Sequence, residues 1–158
     1  PYVTATAPAP EMLTATASAL QAHAGAVRFL SYNIRDGGEG DKLPMIISIL
    51  QAYNADVIAI QETNGWNADD FAIANQVASD LGMEYLYCQA DSGEVDKAGN
   101  TYDLVLLSKL EIKSSEIFTN IQNCLIRAEV VTASGQRFLE ASPLFAHPTM
   151  AYLPSSVC

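Results

Sequence analysis

The sequence predicts an α/β fold in which a mixed β-sheet is flanked by helices on at least one face. Strand-like and helix-like segments alternate as β-α-β-α from residue 27 to residue 82, and the segments that follow are mostly strand-like, without internal repeats. Hydrophobic residues make up 49% of the 158 residues and charged residues only 16%. One domain of ordinary size can therefore bury a real core.

The first β-α-β unit is predicted between residues 27 and 62. VRFLSYNI (27–34) is a predicted strand that ends in a polar turn. ADVIAIQE (55–62) is a continuous apolar run, typical of a strand covered on both faces. The segment between them, 41–53, is a predicted helix whose apolar residues recur at helical spacing: Leu43, Ile46, Ile47, Leu50 and Tyr53.

A second helix is predicted over residues 67–82, with Asn67 as its N-cap and Gly82 as its stop. Pro143 lies inside the last strand-like run, which predicts an edge strand or a bulge there. The predicted later strands are 84–90, 102–110, 116–120, 123–133 and 136–146.

The two ends of the chain differ from the segment between them. Residues 1–26 are rich in alanine, threonine and proline and nearly free of charge, which predicts a linker or extended arm. Such an arm can remain after removal of a secretory leader, so we expect an extracellular location. Residues 151–158 are predicted to be a loop cut short. No stretch approaches the length of a membrane span.

Charge and cysteine content restrict the function less sharply. The net charge of −10 argues against a protein that grips nucleic acid through a broad basic face. It does not exclude an enzyme that reaches phosphates through a metal ion, because the cation supplies the local positive charge. Cys88, Cys124 and Cys158 leave two alternatives open: one disulfide with a free thiol, or three buried thiols.

Two polar residues, Asn33 and Glu62, end the two strands of the first β-α-β unit. A right-handed crossover makes these strands parallel and close, so both ends open on the same edge of the sheet. One carboxylate and one amide oxygen, with waters and a substrate phosphate, suit Mg²⁺. The alternative is that Asn33 makes a turn and Glu62 is solvated.

Five motifs, in register, resemble the endonuclease/exonuclease/phosphatase family. They are SYNI (31–34), QET (61–63), LVLLSKLEI (104–112), LIRAEV (125–130) and FAHP (145–148). The resemblance covers residues 27–150 and implies the N-terminal half of that family's four-layer α/β sandwich. It also implies metal-dependent hydrolysis of a phosphoester, which could be nucleic acid, a lipid headgroup or an inositol phosphate.

The resemblance implies roles for four residues. Glu62 ligates the catalytic Mg²⁺ or Mn²⁺, and Asn33 holds the metal or a phosphate oxygen beside it. His147 hydrogen-bonds the scissile phosphate, although Pro148 stands where the family has leucine. Arg127 stands where a basic residue often lies near the phosphate. Beyond these four, Trp66 is expected to cap the core rather than stack on substrate.

The family's second half supplies a Gly-Asp-x-Asn segment and a terminal Ser-Asp-His, and this chain contains no Asp-x-Asn and no Asp-His. The chain is therefore expected to be incomplete or inactive alone. Its sheet is expected to expose an apolar face, covered by a homo-oligomer or by a missing C-terminal half. The alternative is a non-catalytic extracellular assembly or interaction protein whose N-terminal arm adds to a neighbouring subunit.

Overall fold

The computed structural model describes residues 26–38, 42–90, 102–119, 124–142 and 149–153, the last five and residues 139–142 by their backbone alone. Almost all of the predicted arm, residues 1–25, therefore lies outside the described residues, as do His147 and residues 154–158. Neither helix in the described ranges is long and apolar enough to cross a lipid bilayer.

A five-stranded mixed sheet forms the centre of the fold. Its strands lie in the order β3-β4-β2-β1-β8. They are β1 (Val27–Asn33), β2 (Val57–Gln61), β3 (Glu84–Cys88), β4 (Leu104–Ser108) and β8 (Thr149–Leu153). Strands β1 and β2 are parallel, with Asn33 opposite Gln61, and the other pairs are antiparallel. The predicted mixed sheet is confirmed.

A second, antiparallel sheet of three strands has the order β5-β6-β7. The strands are β5 (Glu111–Phe118), β6 (Leu125–Val131) and β7 (Arg137–Ser142). A turn joins the last two strands: Gly135 has φ 83°, and its N–H donates to the Thr132 carbonyl at 2.8 Å. Strand β7 is an edge strand that ends just before Pro143.

Two α-helices of the described residues follow β1 and β2, as the apolar spacing predicts. Helix α1 (Leu43–Tyr53) has Pro44 in its first turn and ends at Asn54, whose φ is 48°. Helix α2 (Ala68–Leu81) ends at Gly82, whose φ of 62° suits a residue without Cβ. The Asn67 side chain, predicted as an N-cap, makes no capping hydrogen bond. The next turn is left-handed, so the regular helical N–H groups that a cap would bind are not present there.

The helices pack on one face of the central sheet and the three-stranded sheet packs on the other. Leu50 and Val77 of the helices join the core on the first face. On the second face, Ala59 and Leu106 pack with Ile126 of β6. Every residue of β2 and β4 is buried. The expectation of an exposed apolar face on these central strands is therefore wrong, because the alternating apolar residues of β6 cover it.

Two elements differ most from the predicted ones. Strand β5 begins at Glu111 rather than at residue 116, because its polar residues are exposed on an edge and give no apolar pattern. The predicted tail also needs correction, because Thr149–Leu153 pairs with β1 as an antiparallel edge strand. Five residues followed by Pro154 are too short a strand to stand out in the sequence.

Cys88 and Cys124 form a disulfide that joins the two sheets. Cys88 ends β3 and Cys124 directly precedes β6, and their Cα atoms are 5.8 Å apart. This contradicts the alternative of three buried thiols. Cys158 lies outside the described residues.

We predict that Cys88→Ser lowers the free energy of unfolding markedly. The disulfide links residues 36 positions apart, and loop closure of that length stabilises a native state by about 4 kcal/mol in the chain-entropy model. Urea denaturation without reductant measures the loss. Cys158→Ser is the matched control and should leave the midpoint unchanged, whereas an equal loss in both variants would contradict the assigned pairing.

Candidate functional site

Asn33 and Glu62 lie side by side at the C-terminal edge of β1 and β2. The side-chain nitrogen Nδ2 of Asn33 donates a hydrogen bond of 2.7 Å to Oε1 of Glu62. Both residues are half-buried. The parallel β-α-β crossover thus brings together the two residues that the sequence singled out, and their chemical roles stay predictions.

The hydrogen bonds around the pair fix its orientation. Oδ1 of Asn33 accepts from the backbone N–H of Arg35 at 2.9 Å, so the amide nitrogen is the atom that faces Glu62. Oε2 of Glu62 lies 3.4 Å from the backbone N–H of Asp36. In this arrangement Asn33 orients the carboxylate rather than presenting its own oxygen beside it. The described residues contain no cluster of three or more His, Cys, Asp or Glu side chains suited to a metal ion.

The loop after β1 is held against the loop after β2 through the backbone of Gly37. Its N–H donates to the Glu62 carbonyl at 2.7 Å, and its carbonyl accepts from Nε1 of Trp66 at 2.9 Å. Trp66 is fully buried, which confirms that it belongs to the core rather than stacking on substrate. Glu62 has φ 59°, an uncommon left-handed conformation for a glutamate. Such strain concentrates at functional sites because the surrounding contacts must enforce it.

A second cluster at the same edge was not found from the sequence. Asp103, which directly precedes β4, is only 2% exposed. Its Oδ2 accepts a 2.6 Å hydrogen bond from the Tyr87 hydroxyl, and its Oδ1 accepts one of 2.9 Å from the Ala90 N–H. Burial, reinforced by the hydrogen bond and charge of Asp103, raises the pKa of Tyr87 well above its ordinary value. The hydroxyl therefore keeps its proton and acts as a donor.

This cluster contacts the residue that follows Glu62. The Tyr87 hydroxyl lies 3.0 Å from the Thr63 carbonyl, and the Thr63 N–H donates to the Asp103 carbonyl at 3.1 Å. Oγ1 of Thr63 and Oε1 of Gln61 are buried without a hydrogen-bond partner. The interior beside Glu62 is thus polar, which is unusual for the end of a buried strand.

The other two predicted site residues are not part of this arrangement. Arg127 lies on β6 with an exposed side chain, between the buried Ile126 and Ala128, and therefore points away from the core. Its Nη1 atom is 3.1 Å from Oε2 of Glu116 on the neighbouring strand. The structure therefore does not bring Arg127 to the Asn33–Glu62 pair. His147 lies outside the described residues, so its role stays a prediction.

Comparison with known proteins identifies the fold and the family. The family model for the endonuclease/exonuclease/phosphatase family matches residues 30–152. The chain belongs to this family. Residues Asn33 and Glu62 both lie within the matched range, so the pair is part of the segment that carries the endonuclease/exonuclease/phosphatase likeness. No curated protein matches the sequence.

Solved structures share the fold of this chain at low sequence identity. The human Nocturnin catalytic domain with bound sulfate matches with a TM-score of 0.57 and 16% identity, over 74% of this chain and 48% of that one. A humanized D. rerio TDP2 matches with a TM-score of 0.52 and 21% identity, over 75% and 46%. The 3′ phosphatase NExo from Neisseria, bound to product DNA hairpin, matches with 0.50 and 16%, over 72% and 40%. The chain thus spans less than half the length of each of these structures.

We predict that Gly37→Ala destabilises the protein more than Gly65→Ala does. A Cβ at Gly37 would lie 2.2 Å from the backbone oxygen of Asn64, whereas one at Gly65 meets nothing within 4 Å. Both glycines have positive φ, so both variants carry a strain of about 1–2 kcal/mol, and Gly37→Ala adds overpacking of about 1–3 kcal/mol.

Urea denaturation of the two variants measures this difference in the free energy of unfolding. Gly65→Ala serves as the control for the positive φ alone. Equal losses in the two variants would contradict the close contact between the loops.

Proposed function

We propose that this chain carries the N-terminal part of a divalent-metal-dependent phosphoester hydrolase site centred on Glu62. The observation that supports this most directly is the hydrogen bond from Asn33 to Glu62 at the carboxyl edge of two parallel strands. Ligand sites of open α/β sheets form at that edge. Membership of the family supplies the class of reaction.

The residues present fit Mg²⁺ or Mn²⁺ held through one protein carboxylate. Mg²⁺ keeps several waters and is usually bound by one or two carboxylates together with substrate phosphates. Glu62 offers a half-buried carboxylate whose Oε1 is oriented by Asn33. Among the residues that the structure describes, its Oε2 has a single long contact of 3.4 Å, to the Asp36 N–H, and is the oxygen we assign to the cation.

Each residue then has a definite task. When bound, the cation offsets the negative charge that grows on the phosphate oxygens during hydrolysis. Asn33 and the N–H of Asp36 hold the Glu62 carboxylate in one orientation. Gly37 and Trp66 keep the two loops in contact, which maintains the left-handed backbone of Glu62. His147 is proposed to donate a hydrogen bond to the scissile phosphate.

The general base is not accounted for in this sequence. The chain has neither an Asp-x-Asn nor an Asp-His segment, which the family uses for further site residues and for the base. We therefore assign turnover to the native polypeptide that contains this chain. The same gap favours the second candidate, a non-catalytic extracellular assembly or interaction protein on the same scaffold, which would bind no cation at Glu62.

Charge and cysteine chemistry support proposals for the substrate and the location. The net charge of −10 favours a short phosphoester, such as a lipid headgroup or an inositol phosphate, over a long nucleic acid, since like charges slow the encounter. An extracellular location is supported by the disulfide between Cys88 and Cys124, since such bonds persist in oxidising compartments.

The homo-oligomer was expected in order to cover an exposed apolar face of the central sheet. The second sheet covers that face of β2 and β4, so burial of these strands does not require self-association.

We predict that Glu62→Gln lowers the hydrolysis of bis-p-nitrophenyl phosphate by the native polypeptide by at least about 100-fold, because the neutral amide binds a cation poorly. The assay is run with Mg²⁺ and with Mn²⁺, and chelation by EDTA should abolish the activity of the unmodified protein.

Glu84→Gln is the matched control. Glu84 is an exposed glutamate at the start of β3, so the same change there should leave the rate unaltered. Hydrolysis that survives Glu62→Gln or EDTA would refute the proposed site. A complete lack of hydrolysis and of cation binding would favour the assembly protein instead.

A further inference from the structure

We infer that Tyr87 and Asp103 form a buried positioning pair that fixes the backbone after Glu62 and thereby strengthens cation binding there. This inference rests on the proposed function. Both residues are positioning residues, because they act on the ligand side chain through Thr63 and do not touch the cation themselves. Neither was identified from the sequence as part of the site.

The pair contacts both backbone polar groups of Thr63. The backbone carbonyl of Asp103 accepts from the Thr63 N–H at 3.1 Å, and the Tyr87 hydroxyl lies 3.0 Å from the Thr63 backbone carbonyl. The Tyr87 hydroxyl also donates to Oδ2 of Asp103 at 2.6 Å, which locks the two residues to each other. Thr63 itself is fully buried, so water does not compete for these contacts.

Glu62 needs such a restraint because its backbone is strained. A left-handed φ of 59° disfavours a glutamate by about 1–2 kcal/mol. Gly37 holds the Glu62 carbonyl at 2.7 Å, and strand β2 holds the residue before it. The contacts to Thr63 restrain the backbone on the C-terminal side of Glu62. Loss of those contacts would let residue 62 relax and would move its carboxylate away from Asn33.

The chemistry of the pair suggests a task beyond packing. Burying a carboxylate at 2% exposure costs free energy that an apolar side chain of similar shape avoids. The negative charge of Asp103, buried beside the residue that follows Glu62, favours a cation nearby because the interior screens it weakly. Packing alone is supplied by the ring of Tyr87, which meets Phe71 edge-on with centroids 5.3 Å apart. Tyr87→Phe therefore removes the hydroxyl and keeps the ring contact.

Tyr85 offers a matched control on the same strand. It lies two residues before Tyr87 on β3, and its hydroxyl donates to Oδ1 of Asn75 at 2.9 Å, on helix α2 and away from the Glu62 loop. Tyr85→Phe therefore removes a tyrosine hydroxyl from the same strand without touching Thr63, whereas Tyr87→Phe removes the hydroxyl that contacts both Thr63 and Asp103.

The experiment measures Mn²⁺ affinity from the loss of the free-ion signal in electron paramagnetic resonance. We expect Tyr87→Phe and Asp103→Asn each to raise the Mn²⁺ dissociation constant about tenfold, as loss of a supporting group around a metal ligand does. The double variant should lose less Mn²⁺ affinity than the two single variants lose in sum, since the residues act as one unit. Tyr85→Phe should bind as the unmodified protein does. Melting curves without metal verify that each variant is folded, and Asp103→Asn carries the test if Tyr87→Phe does not fold.

Glu62→Gln distinguishes a failure of the positioning pair from a failure of the proposed cation site. If it abolishes Mn²⁺ binding while Tyr87→Phe and Asp103→Asn bind normally, the positioning pair is refuted and the proposed site stands. Equal weakening in Tyr87→Phe and Tyr85→Phe would also refute the pair, because the effect would then be general. If the unmodified protein and Glu62→Gln bind Mn²⁺ alike, or neither binds it, the proposed site fails and the inference fails with it.

Discussion

The hydrogen bond from the Asn33 amide to the Glu62 carboxylate joins the ends of two parallel strands, and the functional account depends on it. Neither residue could meet the other without the parallel pairing of β1 and β2, which places Asn33 opposite Gln61. That pairing depends in turn on helix α1, which makes the crossover, and on β2 being buried on both faces. A carboxylate on so rigid a stretch of backbone loses little conformational freedom when it binds a ligand.

The sequence predicts the central layers of the fold because their apolar patterns are strong. The apolar run of β2 and the helical spacing of α1 fix the type of each element and its neighbours. The edge strands were placed less well. Strand β5 has polar residues on both faces, and the five residues Thr149–Leu153 give no pattern that differs from a loop. The cover over the central sheet was missed because alternation within β6 indicates a buried face but not its partner.

The residues at the site also differ in whether the sequence predicts them. Asn33 and Glu62 were predictable, since topology alone brings the ends of consecutive parallel strands together. The pairing of Tyr87 with Asp103 was not, because the two residues are 16 positions apart and meet only once β3 and β4 pair. Nothing in the sequence distinguishes a buried aspartate before a strand from one in an exposed turn. Their contacts make the edge of the sheet a continuous polar network rather than a row of strand ends.

Diffraction from a crystal grown with Mn²⁺, recorded at the manganese absorption edge, tests the central claim most directly. We predict an anomalous peak about 2.1 Å from a carboxylate oxygen of Glu62, the usual distance for a small divalent cation, with the Asn33 amide nitrogen still hydrogen-bonded to the other oxygen. A peak elsewhere, no peak at saturating Mn²⁺, or a Glu62 side chain turned away from Asn33 would contradict it.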